Sequence, residues 1–212
     1  MIDDLANGFI NFLQSKIGKS LTFIQIGVND GINSDFVRKR VLNHAWTGLL
    51  IEPHPSYFKM AQEAYAGYEG VYWENCAISD SNGEEELYYV KEVPKDKNYL
   101  IGVASFDRGH IIKHGVEPDN IDSKKVPTIT LSRLINKYKL SNIDLLVIDV
   151  EGHEYNALRS ADFNYFKPKL IVIETSHMSR DDFVKIVQLF PENNYRGVYS
   201  KEFQDSVIYR IE

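Results

Sequence analysis

Gly27, Asn29, Asp30 and Gly31 fall in the stretch FIQIGVNDGINSDF, where an apolar run stops at a glycine and an Asn-Asp-Gly triplet follows. Asn and Asp tolerate left-handed backbone angles and Gly has no Cβ to clash, so the triplet by itself reads as a β-turn. A hairpin would need a second strand at once. Instead Phe36, Val37, Arg40 and Val41 recur at helical spacing, with Ser34 or Asp35 available to cap the first turn. Strand, glycine turn and helix in that order bring a small ligand close to backbone N–H groups and to the positive end of a helix, which suits a nucleotide-like cofactor. About 20 residues beyond Gly31 stands Glu52, near the spacing at which an acid closing the second strand accepts hydrogen bonds from a ribose. A solvated strand end is the plainer alternative. Further along, IDVEGHE gathers Asp149, Glu151, His153 and Glu154. An imidazole with carboxylates beside it can take a proton near neutral pH, with Glu151 or Glu154 orienting the ring. The acids alone would also suit the first turn of a helix.

The elements that must position these residues alternate. LTFIQIG leads into the helix just described, WTGLLIEP into SYFKMAQEAYAGY, and GVYWENCAIS into the polar turn DSNGE. EEELYYV then reads as a strand able to form a hairpin with the one before it, and residues 91–126 are charged and aperiodic. The alternation resumes with LSRLINKYKL, IDLLVIDV, EYNALRSADF and KLIVIETS, and ends with a helix before Pro191 and the strand candidates YRGVYSK and DSVIYRI. This predicts an α/β fold: a doubly wound, mostly parallel Rossmann-like sheet with an antiparallel C-terminal strand pair. Ligands of such sheets bind outside the carboxyl ends of the strands. Those ends carry Gly27 to Gly31, Glu52, Asn75 and Asp80, Asp149 and Glu151, and Glu174 and His177.

With 212 residues, 43% of them apolar, the chain can bury a substantial core, and no linker or repeat divides it, so one domain over 1–212 is expected, with residues 1–20 as an N-terminal helix. The net charge of −6 argues against a broad nucleic-acid surface. The first twenty residues lack the basic head and unbroken apolar core of a secretory signal, no run approaches the roughly 20 residues of a membrane helix, and the single Cys76 excludes an internal disulfide. A cytoplasmic location is expected, and self-association is left open.

The full G-x-G-x-x-G pattern is missing, since no third glycine lies at the helix start, so a dinucleotide's pyrophosphate is poorly served. S-adenosylmethionine has a ribose and an adenine but no phosphate, which favours a methyl donor. FIQIGVNDG, LLIEPHPSYF, NCAISDSNGEEELY, TLSRL and IDLLVIDVEGHEYNALRSAD occur in the order and spacing of FkbM-like methyltransferases, and the chain resembles that family over about four fifths of its length. The resemblance implies transfer of a methyl group from S-adenosylmethionine to oxygen, on a hydroxyl of a sugar, glycan or natural product. It implies that Gly27, Asn29, Asp30 and Gly31 shape the pocket around the methionine portion, with Gln25 nearby. Glu52, beside Pro53, would hold the ribose, Ala77, Ile78 and Asp80 would border adenine, and the methyl would lie near Asp149. Two positions depart from the family: Gln25 stands where many relatives have an acid, and Val147 where many have lysine.

His153 is the expected base, with Asp149 and Glu151 beside it and His177 as its competitor. Asp149, Glu174 and His177 could also gather a hard divalent cation, but their separation carries no ligand-spacing pattern, and no metal site is assigned. Residues 91–126 are expected to cover the acceptor, with Ser105, Arg108, His110 and His114 beside Phe106 and Ile111; Glu174 is added to the acceptor contacts. A nicotinamide-dependent oxidoreductase, or a nucleotide-binding module without catalysis, would share the strand, the turn and Glu52.

Overall fold

The computed structural model describes residues 4–211 except 19, 34, 36, 177, 193, 201 and 203. Helix α1 (Asp4–Ile17) leads into β1 (Thr22–Ile26), α2 (Arg38–His44), β2 (Thr47–Ile51), α3 (Pro55–Ala64) and β3 (Val71–Glu74). A second group follows, made of β4 (Ala77–Ile78), β5 (Gly83–Val90), β6 (Ala104–Ser105), α4 (Arg108–Lys113) and β7 (Ile121–Ile129). The alternation then returns with α5 (Leu131–Tyr138), β8 (Leu145–Ile148), α6 (Glu154–Arg159), β9 (Leu170–Glu174), α7 (Arg180–Val187), β10 (Tyr195–Val198) and β11 (Asp205–Arg210).

Seven strands form one sheet in the order β10-β11-β9-β8-β1-β2-β3. The five central and outer strands β9, β8, β1, β2 and β3 are parallel, and β11 and β10 close the other edge antiparallel. The alternation of side chains along the strands sorts the core into two layers. Ile24, Ile26, Leu49, Ile51, Leu146, Ile148, Ile171 and Ile173 pack on one face with Leu134 of α5, Leu158 of α6 and Ile186 of α7. Phe23, Leu50, Leu145, Val147, Leu170 and Val172 pack on the other with Ile10 of α1, Val41 of α2 and Ala61 of α3. A central strand buried on both faces must read as an unbroken apolar run, which is why β8 is LLVI and β9 is LIVIE. Strand order reverses between β1 and β8, so the crevice outside their carboxyl ends is the place for a ligand.

The second group departs from the expected pairing. The run GVYWENCAIS is split: β3 joins the main sheet, while β4 belongs to a four-stranded sheet of order β4-β7-β5-β6. The antiparallel partner of β5 is not the preceding strand but β7, in register from Gly83 opposite Thr128 to Val90 opposite Ile121. Residues 121–126, expected to be aperiodic, are therefore strand. Only Val126 and Thr128 of β7 are buried; nearer its start Asp122 and Lys124, on the same face as those two, and Lys125, on the other, are exposed. A small apolar cluster of Val90, Leu100, Val103, Ile111 and Val116 holds the loop before β6 and helix α4 against β5. Among the described residues, no helix is long and apolar enough to cross a membrane.

Candidate active site

The main chain leaves β1 through Gly27, whose φ of +84° and close approach to β8 both require glycine: a Cβ there would lie 1.8 Å from the carbonyl oxygen of Asp149. The amides of Gly27 and Val28 both donate to the carbonyl of Ile51, tying the turn to the end of β2. Asn29 follows in the left-handed region at φ 57°. Its side chain donates from Nδ2 to the carbonyl of Ile101 at 3.0 Å, so the turn is roped to the loop before β6. Asp30 is buried and spends its carboxylate inside the turn, accepting from the amides of Ile32 and Asn33 at 2.8 Å each. Gly31 packs on α3, where a Cβ would come within 2.9 Å of Ala61 Cα. Asp35 accepts from the amides of Val37 and Arg38 just ahead of α2, whose N-cap is Val37 with no side-chain cap; Ser34 lies outside the described residues.

Glu52 sits just past β2, buried, with Oε2 accepting from the amide of Asn29 and Oε1 from that of His54, each at 2.9 Å. Burial raises its carboxyl to about 7, against the pull of those two amides. A carboxylate has about four lone-pair sites, so these two bonds fix its orientation and leave acceptor capacity for a diol. Asn75 donates from Nδ2 to the carbonyls of Glu52 and Pro53, holding this corner in place. Between β1, β2, β4 and β8 opens a cleft of ≈ 740 Å³. Gly27, Asn29, Glu52, Pro53 and Asp149 lie along one side, and Ala77, Ile78, Leu87 and Phe106 give an apolar wall on the other.

Beyond β8 the chain turns sharply. The amide of Asp149 donates to the carbonyl of Ile26, Glu151 adopts φ 52° and Gly152 φ 95°. Glu154 is buried beneath this turn, its Oε1 accepting from the amides of Val150 and Gly152, and burial brings its carboxyl to about 7. The Asp149 carboxyl is pushed well above the usual range by burial and then by Glu151, Glu174 and Glu154. On one side of the turn His153 meets Ser79 Oγ through Nε2 at 3.2 Å and sets its ring against Phe106, and burial holds its pKa below the ordinary value. On the other side Glu151 Oε2 lies 2.9 Å from His110 Nε2 and 3.6 Å from His114 Nε2. The hydrogen bond to Glu151 raises the pKa of His110. A second cavity, of ≈ 860 Å³, lies on this side and is lined by His110, Gly152, Glu154, Tyr155, Glu174 and Lys185 among others.

The structure thus brings Gly27, Asn29, Glu52, Pro53, Ala77, Ile78, Ser105, Asp149, Glu151 and His153 to one cleft, and His110 and Glu174 to the cavity beside it. Five expected residues are elsewhere, the first of them Gly31, which packs on Ala61 of α3. Gln25 is buried beneath the sheet, bonded to Asp35, because it alternates with the cleft-side Ile26 along β1. Asp80 is exposed and paired with Arg159. Arg108 is bonded to the carbonyl of Pro118 on the surface. Asp30 is a turn residue, and His177 lies outside the described residues. Val147, the other departure, is buried in the core layer under α1, α2 and α3 and faces no ligand. Sequence reasoning missed the loop Tyr99, Ile101, Gly102 and Val103, which roofs the first cleft. Gly102 (φ +85°) presses on Asn29, where a Cβ would fall 1.6 Å from Nδ2, and its amide donates to Tyr57 Oη. A lone glycine between apolar residues was the available signal.

A cofactor with a ribose diol, an adenine and a short amino-acid arm fits this arrangement: acceptor capacity on buried Glu52, an apolar wall at Ala77 and Ile78, and a narrow glycine turn at Gly27. The sheet order puts an acid at the end of β2 and the crevice between β1 and β8. Residues 25–196 match the methyltransferase FkbM domain, and the chain belongs to that family. Among solved structures it is similar to methyltransferase FkbM from Methylobacillus flagellatus KT, at 13% identity and a TM-score of 0.55, over 93% of this chain and 46% of that one. The chain thus spans about half the length of that relative. The METTL16 methyltransferase domain is similar at 8% identity and a TM-score of 0.52, covering 99% of this chain and 69% of that one. A putative rRNA-methylase from Clostridium thermocellum has 5% identity and a TM-score of 0.50, over 100% and 98%. At these identities the likeness is one of fold. Comparison with curated proteins gave no match.

If Glu52 accepts from the ribose, its raised carboxyl gives cofactor binding a pH dependence with a definite sign. A carboxyl at about 7 is mostly protonated at pH 6 and mostly ionised at pH 8, and the ionised form is the stronger acceptor for ribose hydroxyls. S-adenosylmethionine affinity is expected to rise by up to about tenfold from pH 6 to pH 8, the limit set by the ionised fraction around a pKa near 7. Glu52→Gln removes this part of the profile and leaves any contribution from the cofactor's own amino group. Calorimetric titration across the range measures it; parallel profiles for the two proteins sink the assignment.

Proposed function

We propose that the protein moves the methyl group of S-adenosylmethionine to a hydroxyl oxygen of a sugar, glycan or natural product. The observation that carries this is the trio His110, His114 and Glu151, set at the end of β8 beside the cofactor cleft. An acceptor oxygen attacks the methyl carbon in line with sulfur; the carbon–sulfur pair returns to sulfur, giving neutral S-adenosylhomocysteine, and the hydroxyl proton leaves. Sulfonium methyl groups are already activated, so much of the acceleration comes from alignment. An alcohol also needs help losing its proton, and an imidazole–carboxylate group is the ordinary means. In this reading the trio serves the acceptor hydroxyl, while His153, held by Ser79 and Phe106, belongs to the adenine wall.

The second cavity supports a polyhydroxylated acceptor. Glu174, Asp182 and Lys185 offer hydrogen bonds to hydroxyls, and Tyr155 offers a face to ring carbons. The acidic balance of the chain speaks against an acceptor carried on a phosphate backbone. In the same reading the segment from 91 onward covers the acceptor, with Ser105 anchoring it by donating from Oγ to the carbonyl of Glu151 at 2.8 Å.

A labelled methyl-transfer assay over nucleotide sugars, glycans and small alcohols tests the proposal; label recovered only on nitrogen or carbon would overturn it. The cofactor half has its own test. Glu52→Ala removes acceptors for two ribose hydroxyls, each hydrogen bond contributing about 0.5–1.5 kcal/mol net and more when charged. S-adenosylmethionine affinity is expected to fall at least about tenfold. Unchanged affinity in the folded variant removes Glu52 from the site.

A further inference from the structure

His110 and His114 stand four apart on and just beyond α4, so their rings share one side of it. Their Nε2 atoms are 3.1 Å apart, and Glu151 Oε2 is 2.9 Å from the first and 3.6 Å from the second. A hydrogen bond between His110 and Glu151 accounts for one side of this triangle and leaves the other two sides to be explained. If His110 carries the proton on Nε2, that single N–H is shared between a carboxylate and a second ring nitrogen. If His110 is bare there, its lone pair faces the carboxylate oxygen. If both rings are protonated, two positive charges sit in van der Waals contact. A cation that accepts one lone pair from each atom resolves all three conflicts.

The spacing agrees with a coordination shell. At metal–ligand distances of about 2.1 Å, two donors are about 3.0 Å apart at an octahedral right angle and about 3.4 Å apart in a tetrahedron. The observed separations of 2.9, 3.1 and 3.6 Å straddle those values. The support around the triangle orients it. Glu151 is held in its left-handed conformation with its carbonyl bonded to Ser105, Gly152 leaves space for the His110 ring, and Asp107 caps α4 by accepting from Gly109. Glu154 and Glu174 add negative potential around His110.

We infer that His110 Nε2, His114 Nε2 and Glu151 Oε2 bind one divalent transition-metal ion at the edge of the methyl-transfer cleft. Two imidazoles and one carboxylate suit manganese, iron, cobalt or zinc better than magnesium or calcium, which prefer oxygen alone, and three protein donors leave coordination positions open. Its role rests on the methyl-transfer reading and takes the place of direct proton transfer to His110: with that ring's lone pair on the ion, an acceptor hydroxyl in an open position loses its proton to solvent more readily. The site itself does not depend on that reading.

The test titrates chelator-treated protein with Co²⁺ and follows the visible absorption of the bound ion. Wild type takes up about one equivalent. His114→Ala and His110→Asn each weaken uptake at least about tenfold, since each removes a ligand, a larger change than the loss of an outer partner. His114 does not line the cofactor cleft, so S-adenosylmethionine affinity in His114→Ala stays within about twofold and reports that the protein is folded; His114→Gln replaces it if that variant does not fold. Absence of saturable one-equivalent uptake by wild type overturns the site, as does wild-type uptake by both histidine variants. Cobalt uptake together with methyl transfer to no hydroxyl would sink the proposed function and leave the site standing. Methyl transfer undiminished in chelator, with no cobalt uptake, would do the reverse.

Discussion

Gly27→Ala is expected to lower S-adenosylmethionine affinity by more than about a hundredfold and the melting temperature by about 10 °C. The added Cβ would sit 1.8 Å from the carbonyl oxygen of Asp149 and 2.9 Å from its carbonyl carbon, both backbone atoms that no rotamer change can move aside. Alanine at φ +84° adds about 1–2 kcal/mol of its own. Relief requires β1 and β8 to part at the point where the amide of Asp149 donates to Ile26. A cost near 4 kcal/mol, the upper end for a single substitution, converts to about 8–16 °C for a chain of this size. The loss of affinity follows because the same movement displaces Asn29 and, through its amide bond, Glu52. Gly18→Ala is the control: φ is +107° there, nothing lies within 4 Å of the added Cβ, and the residue is outside the cleft. Thermal unfolding and calorimetry compare the two. If Gly27→Ala behaves like Gly18→Ala, the close approach of β1 and β8 is not what shapes the pocket.

That glycine was readable in the sequence because the chemistry of the turn is local. An apolar run ending at Gly27 with Asn29 and Gly31 behind it needs no distant partner to be recognised as a strand leading into a cofactor turn. The runs LLVI and LIVIE were equally plain, since burial on both faces leaves no polar residue to confuse the period. Strand β7 was hidden for the opposite reason. Its first half carries exposed Asp122, Lys124 and Lys125 with no apolar alternation, and its reason for being a strand is the partner β5, which lies about 40 residues earlier. The site divides along the same line. Glu52 could be placed by its distance from the turn, but whether Asp30 faces the ligand or its own loop depends on where the amides of Ile32 and Asn33 point. Asp80 follows an adenine-side strand in sequence, yet an arginine on α6 draws it outward. His110 and His114 show a helical spacing on inspection, while Glu151, which completes their triangle, is 41 residues away from His110 and meets it only in the fold.

This last juxtaposition carries the second large effect. His110→Ala is expected to lower kcat by about a hundredfold or more, the scale for losing the means by which the acceptor proton leaves, since the variant removes both an imidazole base and a ligand of the inferred cation, with S-adenosylmethionine affinity little changed. His153→Ala is expected to lower kcat by less than about fivefold and to act mainly on cofactor affinity. The histidine of IDVEGHE looked the better base in sequence, because acids flank it and Gly152 precedes it. In the fold, however, its Nε2 is engaged with Ser79 Oγ, its Nδ1 lies 3.4 Å from Asn156 Nδ2, and its ring edge meets Phe106. Burial also lowers its pKa, making it a weaker base. His110 has the opposite surroundings: the Glu151 carboxylate at 2.9 Å raises its pKa, and it faces the second cavity, where an acceptor has room beside the turn after β8. Steady-state kinetics on the acceptor found by the transfer assay, with kcat and KM separated for each substrate, distinguishes the two. A hundredfold loss of kcat in His153→Ala, with His110→Ala near wild type, would return the proton to the IDVEGHE histidine and leave the trio of His110, His114 and Glu151 with no part in turnover.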